Sequence, residues 1–285
     1  MVGMKAGVMF SWNLFRDLQQ VFSYGFMRNA FLAGTIVAIL AGVVGYMVVL
    51  RRSSFAAHAL SHIGFAGAAG AVVAGVSAVL GLLAFTLLAA AVMGSLGQKL
   101  RSRDTVIGIV LAWALGLGVL FLSLYKGYAT EAYALLFGEI LGISRLDVLV
   151  TFIAALVALA GIVVMYRPLL FSSIDEEVAE ARGVPVRFIS VAFMLTLALA
   201  VSAAVQVVGV LLIFSLIVTP AAIAERLSNR PSSAIYISVL LALAFTWIGL
   251  FISFYLPYPV SFFITTLAFG TYLVVRLGER RGRGR

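Results

Sequence analysis

The only two histidines of the chain, His58 and His62, are four residues apart in a stretch (53–98) that contains no Asp, Glu, Lys or Arg. Residues at positions i and i+4 share one face of a helix. Two imidazoles on one face can hold a cation such as zinc. Ionisable side chains are costly in hydrocarbon, so such a pair within a membrane span indicates a functional site. The alternative is an ordinary polar contact between packed helices.

The composition predicts an all-α integral membrane protein. The chain is 63% hydrophobic and 11% charged, with a mean hydropathy of +1.14, whereas soluble domains average about 25% charged residues. A helix needs about 20 apolar residues to cross a bilayer. The uncharged stretches predict nine transmembrane helices, or eight if one pair is re-entrant. The predicted spans are 29–50, 54–76, 78–97, 105–125, 147–166, 188–205, 208–225, 232–255 and 259–276.

The net charge of +9 indicates topology rather than nucleic-acid binding. If the arginine-rich C-terminus is cytoplasmic and the spans alternate, 15 of the 20 basic residues fall on the cytoplasmic side, as the positive-inside rule requires. We therefore expect a multi-pass protein of a prokaryotic plasma membrane with a cytoplasmic C-terminus. The expected organisation is an amphipathic segment on the outer membrane surface (1–27), a transmembrane domain (28–277) and a basic tail (278–285).

The most polar internal stretch, 172–185, predicts a short cytoplasmic helix. Ser or Asp caps its start, acidic residues lie near the positive end of the helix dipole, and Gly183 ends it before Pro185. Such a helix between two spans is suited to docking a partner. The residues expected to make this contact are Asp175, Glu176, Glu177, Ala179, Arg182 and Gly183.

The chain carries no visible energy source of its own. None of its three lysines follows a glycine, so it lacks the phosphate-binding Gly-Lys-Ser/Thr pattern. No predicted span holds a mid-depth carboxylate, which an ion-coupled secondary metal transporter usually keeps. A membrane metalloenzyme is the third interpretation, but Ala59 stands where the His-Glu-x-x-His motif has its general base.

Four motifs together resemble one known family. They are Arg-Arg-x-Ser-Phe-x-x-His-x-Leu-Ser-His-x-x-x-x-Gly (51–67), Glu177-x-Ala179-x-x-x-Gly183, the run from Val208-Gly209-Val210-Leu211-Leu212 to Thr219-Pro220-Ala221-Ala222-Ile223-Ala224, and Phe137-Gly138-Glu139. The chain is similar over residues 25–276 to the permease subunits of zinc/manganese/iron ABC importers (ZnuB-like). The resemblance implies the fold of cobalamin-type ABC importer permeases and no catalytic activity.

The same resemblance implies partners and a substrate. The partners are two cytoplasmic ATPases, a second permease copy forming a homodimer, an extracytoplasmic metal-binding protein and the lipid bilayer. The substrate is a divalent zinc, manganese or iron ion, and no cofactor is bound permanently. Many members carry Asp where this chain has His58, and the exchange of oxygen for nitrogen shifts the expected preference from manganese toward zinc.

The resemblance and the spacing assign further roles. We expect His58 and His62 to contact the ion in the translocation path. Glu139 is a candidate external contact for cations, with an ordinary solvated loop as the alternative. Small or helix-bending residues are expected to pack the helices and shape the path, and these are Gly64, Gly67, Gly209 and Pro220.

Overall fold

Apolar runs of this length fold as helices because a backbone in lipid must satisfy its hydrogen bonds internally. The computed structural model describes residues 14–96, 100–124, 138, 140–256 and 258–282. Within those ranges every regular element is a helix, so the predicted all-α fold class is confirmed. The helices are α1 Leu14–Ser23, α2 Gly25–Leu50, α3 Ser54–Val73, α4 Ala78–Leu96, α5 Leu100–Leu124, α6 Arg145–Ile174, α7 Glu176–Ala181, α8 Val186–Val208, α9 Val210–Leu227, α10 Pro231–Tyr255 and α11 Val260–Gly282.

Nine helices within the described ranges are long and apolar enough to cross a membrane, which agrees with the predicted number. They are α2 to α6 and α8 to α11. The largest difference in boundary is at α6, which continues through Pro168 to Ile174 instead of ending at 166. A proline removes one backbone hydrogen bond, and tertiary packing can still hold the helix together. Ser172 and Ser173 therefore belong to α6 and not to the short polar helix.

Helices α2, α8 and α9 form the centre of the bundle. Helix α2 packs against α6, α9 and α10, whereas α3 packs against α4 and α5, and α8 lies between α4 and α6. Helix α5 is peripheral, because 17% of its most apolar 18-residue stretch is buried, compared with 67% of the corresponding stretch of α2. The histidine-bearing helix α3 is thus connected on one side to the central helices and on the other to a layer open to lipid.

Glycines bring the central helices into close contact. A Cβ atom added at Gly45 would collide with the carbonyl oxygen of Ile217 in α9, and one added at Gly42 would lie 2.6 Å from the Cα atom of Val239 in α10. Small residues allow helix backbones in a membrane to approach closely. These contacts also show that α2 and α9 meet backbone to backbone.

We call one end of the bundle the arginine end. There the guanidinium of Arg51 at the end of α2 donates to the hydroxyls of Ser172 in α6 and Ser190 in α8. At the same end, where α9 and α11 end, Arg226 forms an ion pair with Glu279 at 2.8 Å. The side of the membrane that this end faces stays a prediction.

The opposite end of the bundle is closed by α1 and by the residues before α6. Asp17 and Val21 of α1 are fully buried, while Phe15 is 71% exposed, and the interfacial amphipathic role of the N-terminal segment stays a prediction. The side-chain amide of Asn29 donates to the carbonyl of Ile143 at 3.0 Å. Residues 1–13 of the predicted N-terminal segment and 283–285 of the predicted tail lie outside the described residues, and α11 continues into that tail as far as Gly282.

Candidate functional site

His58 and His62 lie on one face of α3, as their spacing predicts. Their ring centroids are 4.6 Å apart, and the ring planes are inclined by 72°. Helix α3 begins at Ser54, so a rise of about 1.5 Å per residue places the two histidines about 6 and 12 Å from its first residue, which lies at the arginine end. Both side chains are half-buried. The pair is thus inside a predicted span, nearer to the arginine end than to the opposite end.

Helix α9 covers one of the two imidazoles. The ring of Phe214 lies edge-on to His58, with centroids 5.0 Å apart. The Nδ1 atom of His58 is buried and has no hydrogen-bond partner among the described residues. An unpaired buried nitrogen is energetically costly. The same nitrogen, when neutral and unprotonated, is a metal ligand.

The glycines that follow the pair pack α3 onto α4. A Cβ atom at Gly64 would lie 3.0 Å from Cγ2 of Thr86, and one at Gly67 would collide with Phe85 and with the carbonyl oxygen of Gly81. The hydroxyls of Thr86 and Ser202 form a buried hydrogen bond of 2.6 Å, which joins α4 to α8. Helix α3 is therefore fixed on its α4 side, while His58 contacts α9.

Two imidazoles supply half of the donors in a typical closed zinc site, which has four ligands. Across the described part of the chain, no group of three or more His, Cys, Asp or Glu side chains is placed to hold a metal ion. Glu139, the candidate external contact, lies outside the described residues. A pair of this kind suits transient contact with a passing ion, because an ion held by a complete ligand set leaves slowly.

The short polar helix is α7, and its ends are set by the residues that the sequence indicated. The carboxylate of Asp175 accepts from the amide of Val178 at 3.0 Å and caps the first turn. Gly183 has a φ of +81°, and the amide of Val184 donates to the carbonyl of Ala179 at 3.0 Å, which closes the C-terminal turn. Ala179 is buried, whereas Glu177 and Arg182 are exposed and Glu176 is half-buried.

Helix α7 also presents apolar side chains that sequence reasoning missed. Ile174, just before the cap, is 76% exposed, and Val178 is 45% exposed. Val178 adjoins the exposed Glu177 in α7, and Ile174 ends α6, so the exposed surface around the cap combines apolar and acidic groups. The acidic residues of this segment predict a charged surface, and only the helix register reveals which apolar residues point outward.

Gly209 separates α8 from α9 with φ and ψ of 82° and 163°, a conformation that is essentially restricted to glycine. Gly138, in the segment before α6, lies against this break, and a Cβ atom added there would lie 2.6 Å from the amide nitrogen of Gly209. Pro220 is buried inside α9 and does not end the helix. The sequence motifs marked each of these residues but did not indicate that Gly138 and Gly209 meet.

Two further residues near the site were not expected to act there. Phe214 contacts His58 from another helix, and nothing local in the sequence marks it. Arg51 was noted as part of a motif, but its contacts with α6 and α8 depend on the fold. The signal available in the sequence was the position of Arg51 directly before the helix that carries both histidines.

The helix arrangement matches a fold known from solved structures. A solved inward-facing structure of a putative metal-chelate type ABC transporter matches the fold with a TM-score of 0.72 at 16% identity, covering 97% of this chain and 93% of that one. The chain belongs to the ABC 3 transport family, whose sequence profile matches residues 23–278.

Relatives with stated substrates are similar over most of their length. The manganese transport system membrane protein MntC of Listeria innocua is 34% identical, covering 83% of this chain and 85% of that protein. The manganese import system permease protein ScaB of Streptococcus gordonii is 31% identical over the same 83% of this chain and 85% of its own length. The structure of PsaBC from Streptococcus pneumoniae in complex with Fab matches with a TM-score of 0.81 and 30% identity, covering 92% of this chain and 95% of that one.

These similarities confirm that the chain is a permease of the metal ABC importer family. It is a multi-pass membrane component of a bacterial type of transport system and not an enzyme, since the ATPase of such systems is a separate subunit. An ATPase and a substrate-binding protein are the partners that membership of the family implies.

Proposed function

We propose that this chain forms the membrane path of an ATP-driven importer for a divalent transition metal, which it moves by alternating access. The observation that carries the proposal is the half-buried pair His58 and His62 within a membrane span. The buried Nδ1 atom of His58 has no hydrogen-bond partner in the described part of the chain. An ion that leaves a binding protein loses ligands, and a poorly ligated charge is very costly in a medium of low dielectric constant. Two neutral imidazoles would replace some of those ligands.

We infer that a second copy of the chain completes the path. In helix α9 the half-buried Phe214 contacts His58, and Leu211, one turn earlier, is 54% exposed. A second copy facing this surface would cover these side chains and bring another His58–His62 pair toward the first. The shared site would then offer up to four nitrogen ligands without enclosing the ion in one chain.

The sidedness of the proposal follows from charge. We propose that the arginine end faces the cytoplasm and that α7 docks there on the ATPase, with Glu177, Val178 and Arg182 at its exposed surface. The support is that 15 of the 20 basic residues are predicted to lie on that side. A reporter fused at 285 should give a cytoplasmic signal, and an external signal would overturn this orientation.

The ion is proposed from the donor atoms and not from the relatives' names. The relatives MntC and ScaB are named for manganese, which prefers oxygen ligands, whereas imidazole nitrogen suits zinc. We propose that zinc is the preferred ion of this chain. Manganese uptake that excess zinc does not reduce would overturn the choice of ion and leave the importer function intact.

The decisive experiment reconstitutes the permease with its ATPase and binding protein in liposomes and measures ATP-dependent uptake of radioactive zinc. We expect His58→Ala and His62→Ala each to reduce uptake to near background while the complex still assembles. Ser61→Ala is the matched control, because the hydroxyl of Ser61 donates to the carbonyl of Ala57 in its own helix at 3.0 Å. Full uptake by the double alanine variant would make the histidines ordinary packing residues.

A second variant tests the role of the donor atom directly. His58→Asp replaces a neutral nitrogen ligand with an anionic oxygen ligand and leaves His62 in place. Manganese should then compete more strongly with zinc, since oxygen ligands suit the harder ion. The measurement is the ratio of manganese to zinc uptake in the same vesicles, and an unchanged ratio would show that His58 does not select the ion.

A further inference from the structure

The side chain of Arg51 joins three helices at the arginine end. Its Nη1 atom donates to the hydroxyls of Ser172 and Ser173 at 2.9 and 3.4 Å, and its Nη2 atom donates to the hydroxyl of Ser190 at 3.1 Å. The guanidinium also lies 5.4 Å from the ring centre of Phe193. The end of α2 is thereby linked to the last turn of α6 and to the first turns of α8.

These two helices are the ones that flank α7. Ser172 and Ser173 precede α7 in the chain, Ser190 follows it, and α7 packs against α6 and α8. A planar guanidinium presents its N–H groups in a fixed fork, so it can hold two acceptors in a defined relative position. Hydrogen bonds from an ionised donor are also stronger than those between neutral groups. Arg51 therefore ties together the two supports of α7.

The same residue is connected to the histidines by a short and well-defined turn. Arg51 caps α2. The amide of Arg52 then donates to the carbonyl of Val49 at 2.9 Å, and the amide of Ser53 donates to the carbonyl of Val48 at 2.8 Å. Arg52 has a φ of +52°, which completes this compact helix end. Helix α3 begins at Ser54, so any displacement of Arg51 reaches α3 through a turn of very few residues.

We propose that Arg51 is a positioning residue that transmits the movement of α7 to the helix carrying His58 and His62. We call Arg51 with Ser172, Ser173 and Ser190 the Arg51 clamp. The proposal rests on the proposed function and adds the route by which the ATPase acts on the metal path. The clamp keeps α6, α8 and the start of α3 in one relative position, so that the three move together when α7 is displaced.

The first test separates transmission from stability in the reconstituted complex. Arg51→Met keeps a long apolar stem against Phe193 and removes the donors. It should still assemble with the ATPase and hydrolyse ATP, while the number of ions imported per ATP falls about tenfold, as expected for the loss of charge-assisted hydrogen bonds. Arg51→Lys should restore part of that ratio. Arg167→Ala, which removes an exposed positive charge of α6 at the same end, should leave the ratio unchanged.

The second test replaces the clamp by a covalent link. The chain has no cysteine, so Arg51→Cys with Ser190→Cys gives a unique thiol pair. Because the arginine side chain spans a longer distance than a disulfide can bridge, the two thiols are joined by a short bifunctional thiol reagent. Cross-linking should restore ions imported per ATP in this double variant, whereas a monofunctional reagent should not. Loss of transport on cross-linking would overturn the clamp as a fixed link.

The outcomes distinguish a failure of this inference from a failure of the proposed function on which it rests. If the wild-type complex imports no metal with ATP, the proposed function fails. If the wild type imports metal and the assembled Arg51→Met complex keeps a normal ratio of ions to ATP, even at a lower yield of complex, the clamp is only a structural contact and the inference fails.

Discussion

Two glycines on either side of helix α8 have nearly identical φ but opposite surroundings. Gly183, three residues before α8, has a φ of +81° and is exposed, and an added Cβ there would meet no described atom within 4 Å. Gly209, just after it, has a φ of +82° and is buried beside Gly138. One glycine leaves the chain accessible to a partner, and the other fixes it inside the bundle. A positive φ therefore serves contact at one end and closure at the other.

The largest expected loss of stability comes from disrupting the contact between Gly138 and the buried break at Gly209. In Gly138→Ala a methyl group would collide with the backbone at Val208 and Gly209, at a residue whose φ is +75°. Overpacking costs about 1–3 kcal/mol, and a left-handed conformation adds about 1–2 kcal/mol for a residue with a side chain. Thermal unfolding in detergent should show a clear loss of stability, and wild-type stability would mean that the segment before α6 separates freely from the break.

A smaller effect is expected at the break itself. Gly209→Ala forces alanine into φ and ψ of 82° and 163°, a strain of about 1–3 kcal/mol. The unfolding temperature should fall, but by less than in Gly138→Ala. Gly116→Ala in α5 is the control, since a Cβ atom added at Gly116 meets no described atom within 4 Å. Equal stability of both variants would contradict the fixed geometry of the α8–α9 junction.

The smallest effect on stability is expected at the exposed Gly183. Gly183→Ala meets no neighbour, so only the local cost of about 1–2 kcal/mol for a left-handed residue remains. The end of α7 should loosen while the bundle keeps its unfolding temperature, and co-purification with the ATPase should weaken several-fold. Gly183→Asn should retain binding, because asparagine tolerates this conformation. Undiminished binding of the alanine variant would separate α7 from docking.

Local signals explain what could be predicted. The uncharged runs identified nine spans because lipid demands a continuous apolar helix of fixed length. Asp175 and Gly183 identified α7 because caps act on neighbouring amides and carbonyls. The spacing of His58 and His62 placed both rings on one face for the same local reason. The end of α6 was placed too early because Arg167 and Pro168 resemble a boundary.

Contacts between distant segments could not be predicted in this way. Helices α2 and α5 have similar hydropathy, 2.3 and 2.5, yet 67% and 17% of their apolar windows are buried. Hydropathy reports transfer into the bilayer and does not distinguish lipid from protein as the neighbour. The contacts of Gly138 with Gly209, of Phe214 with His58 and of Arg51 with Ser190 depend on how the helices are arranged.

The unbroken length of α8 has a kinematic consequence. Its 23 residues form a rod of about 35 Å at a rise of about 1.5 Å per residue. A tilt of about 5° at the end next to α7 would sweep the Gly209 end through about 3 Å, as for any rigid rod of that length. That displacement is comparable to the diameter of a water molecule. A small rotation at one membrane surface would thus be enough to admit or exclude a single water molecule near the other.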